Sequence, residues 1–305
     1  MEIMKLIPTG KDYLWGGTKL RDVYGKKCDY DKVAESWELS CHKDGPSVVA
    51  DGEYKGLTLN EYIEKAGKGV LGKNCERFEN FPILIKLIDA KDNLSVQVHP
   101  DNDYAMRVEG EYGKTEMWYV VDCDEGATLL YGFKHEITKE EFARRIADNT
   151  LLEVTNAVPV KKGDVFFIKS GTLHAIGKGI LIAEIQQNSN TTYRIYDYGR
   201  VGKDGKPREL HVDKALDVTK LAPAEQYPET PVEKKDGYDI KLLSKCEYFT
   251  TYRVNVETKA ELDADENSFN SILVLEGEPV ISGGETVSAK KGESVFISAG
   301  TGKYT

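Results

Sequence analysis

Long apolar segments are missing from this sequence, and its cysteines are few. No run approaches the ~18 apolar residues that span a bilayer, and the first residues lack the apolar stretch of a signal peptide, so neither membrane insertion nor secretion is expected. The five cysteines, at positions 28, 41, 75, 123 and 246, are odd in number and scattered, which disfavours a disulfide framework. We therefore expect a reduced, cytoplasmic, globular protein.

Positive charge is also in deficit. The chain has 41 Lys and Arg against 51 Asp and Glu, which gives a formal net charge of −10. Nucleic acids and anionic membranes bind clustered basic side chains, so neither is an expected partner, and an anionic small-molecule substrate would need positive charge concentrated in its site. Nothing in the sequence demands an obligate oligomer, so the expectation is a monomer or a weak homo-oligomer.

Short β-type segments dominate the 305 residues. They are rich in β-branched and aromatic side chains and are broken by Gly, Asn and Asp, a pattern typical of sandwiches and barrels. The predicted strands cover residues 81–89, 94–100, 117–122, 164–168, 180–186, 271–277 and 294–300. Capping-box patterns predict helices over about 58–67 and 138–148, and a third helix is predicted near 211–219. The predicted fold class is mostly β with a few peripheral helices.

Two segments of the chain repeat one pattern. Residues 158–174 and 287–303 share the frame V-x-x-K-K-G-[DE]-x-[VF]-F-I-x-x-G-T without a gap. The frame describes one β-hairpin used twice, which favours duplication over chance similarity. His174 of the first copy aligns with Lys303 of the second.

Residues 221–237 hold three prolines and show no periodicity, which predicts a domain boundary there. Such a composition is typical of a linker or an extended crossing segment. We predict one domain over residues 1–225 and a second over residues 238–305.

A candidate metal site can be assembled from the few histidines. Ser95, Gln97 and His99 alternate with valines, so a strand would place these polar side chains on one face. Glu116 begins the next apolar strand, and His174 ends the first copy of the repeat. Two imidazoles, a carboxylate and an amide oxygen form a donor set suited to Zn²⁺, Mn²⁺ or Fe²⁺. Taken singly, His99 could instead cap a strand and Glu116 could be a solvated strand end.

Seven ordered segments carry further motifs: WGGTKL (15–20), ESWELSCH (35–42), FPILIKLIDA (81–90), SVQVHPDNDYA (95–105), GKTEMWYVVD (113–122), GTLHAIGKG (171–179) and AEIQQNSNTTYRIYDYGR (183–200). Together they resemble the type I phosphomannose isomerases, and more narrowly their short bacterial form. The resemblance implies two cupin-type (jelly-roll) β-barrel units, a catalytic one over residues 1–225 and a degenerate, cupin-like one over residues 238–305. It also implies reversible interconversion of mannose 6-phosphate and fructose 6-phosphate through a cis-enediol. One divalent metal per chain is implied, with Zn²⁺ expected first and Mn²⁺ or Fe²⁺ as alternatives.

The resemblance also implies roles for individual residues. The implied metal ligands are Gln97, His99, Glu116 and His174. Arg194 matches the active-site arginine, and Glu184 matches an acidic residue suggested to transfer protons. The side chains implied to line the substrate pocket are Lys86, Ser95 and Lys114. The chain departs from longer members in lacking their large helical insertion between the last two ligands, and in carrying HAIGKG where they have an aromatic residue close behind the histidine.

Several roles stay open on the sequence alone. Glu184 could be the general base or could hold a His or Arg in place, and a metal-bound water or His99 could act as base instead. Arg194 could clamp the phosphate, polarise the sugar oxygens or lie on the surface. Lys86 could bind the phosphate or extend its ammonium to water from a strand edge.

Three other functions are alternatives: a cupin isomerase acting on glucose 6-phosphate, a metal-dependent oxygenase and a non-catalytic sugar-binding cupin. An oxygenase usually leaves more than one metal position open, which four protein ligands do not favour. A binding protein would need no counterpart of Glu184 or Arg194.

Overall fold

The computed structural model describes residues 2–202 and 204–305. In chain order the strands are β1 (Ile3–Ile7), β2 (Thr9–Lys11), β3 (Glu35–Leu39), β4 (Val48–Val49), β5 (Ile83–Ala90), β6 (Val96–Val98), β7 (Glu116–Cys123), β8 (Thr128–Phe133), β9 (Thr155–Pro159), β10 (Val165–Ile168), β11 (His174–Ala175), β12 (Ile180–Gln187), β13 (Tyr193–Tyr196), β14 (Val232–Lys235), β15 (Tyr238–Lys245), β16 (Thr250–Val256), β17 (Leu262–Ala264), β18 (Asn270–Leu273), β19 (Val280–Ser282), β20 (Thr286–Ser288), β21 (Ser294–Ile297) and β22 (Gly302–Tyr304). The helices are α1 (Lys19–Asp22), α2 (Leu59–Ala66), α3 (Asn102–Val108), α4 (Lys139–Ala147) and α5 (Val212–Val218). The prediction of a mostly β fold with peripheral helices is confirmed, and each predicted strand is present with somewhat different bounds.

Side-chain caps explain where the helices begin. Thr58 accepts the Glu61 N–H at 3.3 Å while Glu61 accepts the Thr58 N–H at 2.7 Å, so the predicted capping box starts α2. Thr138 caps α4. The sequence analysis missed α3, which Asp101 caps by accepting the Tyr104 N–H at 2.9 Å. Among the described residues, no helix is long and apolar enough to cross a membrane.

The chain divides into two compact units. Unit 1 contains residues 2–11, 18–87 and 228–305, and unit 2 contains residues 12–17 and 88–227. The boundary between residues 87 and 88 falls inside strand β5, so the first part of this strand belongs to unit 1 and the rest to unit 2. The functional division into residues 1–225 and 238–305 stays a prediction.

In unit 2, strand β7 lies between β10 and β12 in an antiparallel sheet. Its first residue, Glu116, pairs with Ile168 on one side and Gln186 on the other. A second sheet has the order β13-β6-β11-β8-β9. In β6, Val96 and Val98 are fully buried in a hydrophobic core, so the expected alternation directs their polar neighbours to the opposite face.

In unit 1, the first and last parts of the chain share a sheet with the order β18-β21-β1-β4. Leu6 pairs with Ser294 in the antiparallel β1–β21 ladder. Separately, β14, β15 and β16 form a three-stranded antiparallel sheet. Strand β14 lies inside the predicted linker and was not expected there; Gly237, with φ +85°, allows the tight turn that joins it to β15.

The internal repeat is visible in the strand pairing. Unit 2 contains the antiparallel pairs β6–β11, β7–β10 and β8–β9, and unit 1 repeats them as β17–β22, β18–β21 and β19–β20. The registers correspond as well: Gln97 faces His174 in the first copy, and Asp263 faces Lys303 in the second. The pairing supports duplication of one β unit, with different polar residues at matching positions.

Candidate metal centre

Three buried side chains of unit 2 converge on one point. His99 directly follows β6, Glu116 begins β7 and His174 begins β11, and one potential ligand atom of each lies within 4.8 Å of the others. The two imidazole Nε2 atoms are 3.1 Å apart. The Glu116 oxygens Oε2 and Oε1 lie 3.6 Å from His99 Nε2 and 3.4 Å from His174 Nε2, respectively. All three residues are at most 1% exposed.

Backbone carbonyls orient both imidazoles. His99 Nδ1 lies 3.0 Å from the Thr191 carbonyl oxygen, and His174 Nδ1 lies 2.8 Å from that of Thr172. A carbonyl only accepts hydrogen bonds, so each Nδ1 carries the proton and each Nε2 directs a lone pair into the cluster. Burial lowers the pKa of His174 to about 4, which keeps this ring neutral and able to ligate at neutral pH.

Gln97 lies beside this cluster as a fourth polar group. It pairs directly with His174 in the β6–β11 register, and its amide Nε2 is 3.4 Å from His174 Nε2. Rotating the amide by half a turn would exchange its nitrogen for its oxygen. Two opposed imidazole lone pairs, a carboxylate and an amide fit a divalent metal ion, because a cation relieves the repulsion among these donors.

A second carboxylate, that of Glu184, lies next to the cluster, and the Lys114 ammonium is close to both carboxylates. Lys114 Nζ is 3.0 Å from Glu116 Oε2 and 3.8 Å from Glu184 Oε1. The indole of Trp118 donates to Glu184 Oε2 at 2.8 Å. Since Glu184 pairs with Trp118 across β12 and β7, both side chains lie on the same face of the sheet.

Two further residues from the sequence analysis, Ser95 and Lys86, are also buried. Ser95 directly precedes β6. Lys86 belongs to unit 1, where its Nζ lies 3.5 Å from Glu35 Oε2 and 5.0 Å from the ring centre of Trp37. Its ammonium is buried beside a carboxylate, so the alternative that it extends to water is wrong.

Arg194 lies on β13 directly opposite Gln97. The side chain is half-buried rather than a surface arginine, and its Nη1 donates to the Glu209 carbonyl at 2.9 Å. Its Nε is a buried donor with no hydrogen-bond acceptor among the described residues. Burial, followed by the positive charge of Arg208, lowers the pKa of Arg194.

The sequence analysis missed an arginine group next to Arg194. Asp197 Oδ2 accepts from Arg208 Nε at 2.8 Å, and its Oδ1 accepts from Arg208 Nη2 at 2.6 Å and from Arg200. Three arginines around one aspartate leave a local surplus of positive charge. The spacing R-x-x-D-x-x-R over 194–200 could have indicated part of the group. His211 accepts the Arg194 backbone N–H at 3.2 Å.

Comparison with known proteins identifies the family. A family model for the phosphomannose isomerase type I catalytic domain matches residues 3–126, and one for the mannose-6-phosphate isomerase cupin domain matches residues 239–305. Mannose-6-phosphate isomerase ManA of Bacillus subtilis (strain 168) is 40% identical over 97% of this chain and 93% of its own length. The chain belongs to the type I phosphomannose isomerases.

Other members of the type I phosphomannose isomerase family agree. Mannose-6-phosphate isomerase of Streptococcus mutans serotype c is 38% identical over 93% of this chain and 88% of its own length. The crystal structure of mannose 6-phosphate isomerase from Bacillus subtilis matches with a TM-score of 0.91 and 37% identity, covering 100% of this chain and 98% of that one. The cupin-type fold expected from the sequence is confirmed, and so is membership of the family.

Proposed function

We propose that the protein is a cytoplasmic mannose-6-phosphate isomerase, monomeric or weakly homo-oligomeric, that interconverts D-mannose 6-phosphate and D-fructose 6-phosphate. The observation that carries the proposal is the buried His99–Glu116–His174 cluster with Glu184 beside it. The names of the full-length relatives and family membership support the same reaction.

The proposed metal ligands are Gln97, His99, Glu116 and His174, holding one divalent ion per chain. Two imidazole nitrogens, a carboxylate and an amide oxygen, without a thiolate, form a donor set suited to Zn²⁺, with Mn²⁺ and Fe²⁺ as alternatives. When bound, such an ion supplies Lewis-acid stabilisation of negative charge on the sugar oxygens. Buried Nδ1 hydrogen bonds to backbone carbonyls hold both imidazoles in the required tautomer.

Aldose–ketose isomerisation removes a proton from C2, passes through a cis-enediol and returns the proton to C1. We assign this transfer to Glu184, which lies on the same sheet face as Glu116. The Lys114 ammonium lies near both carboxylates. Lys114 keeps two neighbouring carboxylates from repelling each other. Burial of these groups excludes bulk water, which protects the enediol and strengthens the local electrostatics.

The phosphate group of the substrate needs positive charge in a chain of net charge −10. Arg194 offers a buried Nε donor, and Arg208 adds positive charge nearby. A guanidinium fork suits phosphate recognition. We propose that Arg194 acts at the phosphate end of the substrate or on its oxygens, and that Ser95 lines the pocket. The substrate-binding role that the resemblance implies for Lys86 stays a prediction.

A coupled assay tests the proposed function. Purified protein is loaded with Zn²⁺, its metal content is determined, and conversion of mannose 6-phosphate to fructose 6-phosphate is followed, with glucose 6-phosphate as the competing substrate. Turnover of mannose 6-phosphate at one metal per chain is the expected result. Fully loaded protein that is inactive on mannose 6-phosphate, or that prefers glucose 6-phosphate, would contradict the proposal.

A further inference from the structure

Trp118 contacts two parts of the site at once. Its indole Nε1 donates to Glu184 Oε2 at 2.8 Å, and its ring meets that of His174 edge-on, with ring centres 5.2 Å apart and an interplanar angle of 80°. The side chain is fully buried on β7, two residues beyond Glu116. One residue therefore packs against an imidazole of the cluster and hydrogen-bonds to the neighbouring carboxylate.

The hydrogen bond restricts how the Glu184 carboxylate can turn. An indole nitrogen has a single N–H and only donates, and a bond from a buried donor to a carboxylate is charge-assisted. With Oε2 held by Trp118, Oε1 is directed toward Lys114 Nζ, 3.8 Å away. A carboxylate that moves a proton must present one oxygen in a fixed direction, because small misplacements reduce rates steeply.

The packing of Trp118 alone does not require this residue type. Phe or Leu could fill an apolar position on β7, but neither could donate a hydrogen bond to Glu184. The donor is thus the feature that distinguishes Trp at this place, and its acceptor is the residue to which we assign proton transfer.

We propose that Trp118 is a positioning residue for the isomerisation: its indole N–H orients the Glu184 carboxylate for proton transfer between C2 and C1. This inference rests on the proposed function, since it concerns the same reaction. It predicts that loss of the donor lowers turnover and leaves substrate affinity and the metal in place.

The kinetic test uses Trp118→Phe in the metal-loaded enzyme. The expected decrease in kcat is about tenfold to a hundredfold, the rate equivalent of losing a hydrogen bond to a charged group. KM should stay within about threefold, with one metal still bound per chain. The matched control is Phe142→Leu, which alters another fully buried aromatic residue in the unit 2 core and should lower the melting temperature without lowering kcat.

A spectroscopic test examines the contact itself. The chain has three tryptophans, so the indole ¹⁵N–¹H signal of Trp118 is identified by its absence from Trp118→Phe. In Glu184→Ala this signal should move upfield and exchange faster with solvent. Should Trp118→Phe fail to fold, replacing Trp15 and Trp37 by Phe in turn identifies the other two indole signals and leaves the third to Trp118, so its response to Glu184→Ala can still be measured.

Four results would overturn the inference: unchanged kcat in the variant that breaks the bond, loss of the metal together with activity, a kcat loss of equal size in Phe142→Leu, or an indole signal indifferent to Glu184→Ala. Wild-type protein inactive on mannose 6-phosphate would instead overturn the proposed function. An active wild type with an equally active Trp118→Phe variant would overturn the inference alone.

Discussion

The Nε2 atoms of His99 and His174 face each other across 3.1 Å in the interior of unit 2. Because each ring donates its Nδ1 proton to a backbone carbonyl, the two facing nitrogens are both lone-pair donors. Without a cation bound by both, the two nitrogen lone pairs repel each other. A positively charged ligand bound by both nitrogens would remove this repulsion.

Replacing either imidazole should empty the proposed site. We expect His99→Ala or His174→Ala to lose the metal. Activity should fall by more than the ~10–100-fold that is typical when a residue hydrogen-bonded to a metal ligand is replaced. Elemental analysis and the coupled assay measure both effects. The control is His135→Ala, which alters an exposed histidine and should change neither. Full metal content with near-wild-type activity in either ligand variant would refute the assignment.

Removing Lys114 should lower the stability of the protein, because its ammonium lies between two buried carboxylates. In metal-free protein, Lys114→Met is expected to lower the free energy of unfolding by about 3–5 kcal/mol, since it leaves buried charge uncompensated. Adding Glu184→Gln should recover part of that loss, because Glu116 then remains as the only carboxylate of the pair. Urea titrations of the single and double variants measure the free energy of unfolding. If the losses from the two substitutions simply add, Lys114 does not stabilise both carboxylates.

Arg194→Lys should separate metal binding from turnover. We expect one metal per chain and a kcat/KM at least about tenfold lower, or ~1.4 kcal/mol in activation free energy, because an ammonium does not reproduce the planar fork. Arg144→Lys on the exposed face of α4 is the matched control. A decrease smaller than tenfold in Arg194→Lys would show that charge alone suffices at this position.

The stability of the protein should depend on pH through His211. Burial, followed by the charge of Arg194, lowers the pKa of His211 below its usual 6.5, and its neutral Nδ1 accepts the Arg194 N–H. The unfolded chain takes up the proton first, so this contribution is complete above about pH 6.5 and is lost as pH falls through the folded pKa. His211→Gln should flatten the decrease in unfolding free energy between about pH 7 and pH 5. Identical pH profiles would exclude this role.

Deleting residues 238–305 should destabilise unit 1 without removing a proposed metal ligand. The deletion takes away β21, the partner of β1, and exposes buried side chains such as Ile3 at roughly 25 cal/mol per Å² of apolar surface. Thermal unfolding should begin at a lower temperature.

The full-length protein should bind one metal, since no histidine follows His211 and Lys303 stands where the first copy of the repeat has His174. Two metals per chain by elemental analysis would reveal a second working site.

Local patterns in the sequence predicted the features that depend on neighbouring residues. The alternation over residues 95–99 predicted which side chains of β6 leave the core, and Thr58 with Glu61 predicted the start of α2. These features depend on strand and helix periodicity, which a short segment contains in full.

Features that depend on strand register could not be predicted in this way. The Trp118–Glu184 hydrogen bond joins residues 66 positions apart, and Asp197 meets Arg208 across a loop. The ion pair of Lys86 with Glu35, a carboxylate from another strand, was not expected either. Each of these contacts follows from which strands become neighbours, and local residue pattern leaves that choice open.

The sheet that joins β1 to β21 can form only after nearly the whole chain has been synthesised. Glu2 and Ser298 are hydrogen-bonded although 296 positions separate them, and a ribosome adding ~5–20 residues per second needs roughly 15–60 s to cover that interval. Throughout that time the first strand has no β21 to pair with. Unit 2 ends at residue 227 and is therefore synthesised completely before β21, so its ladders can form while β1 has only β4 as a partner.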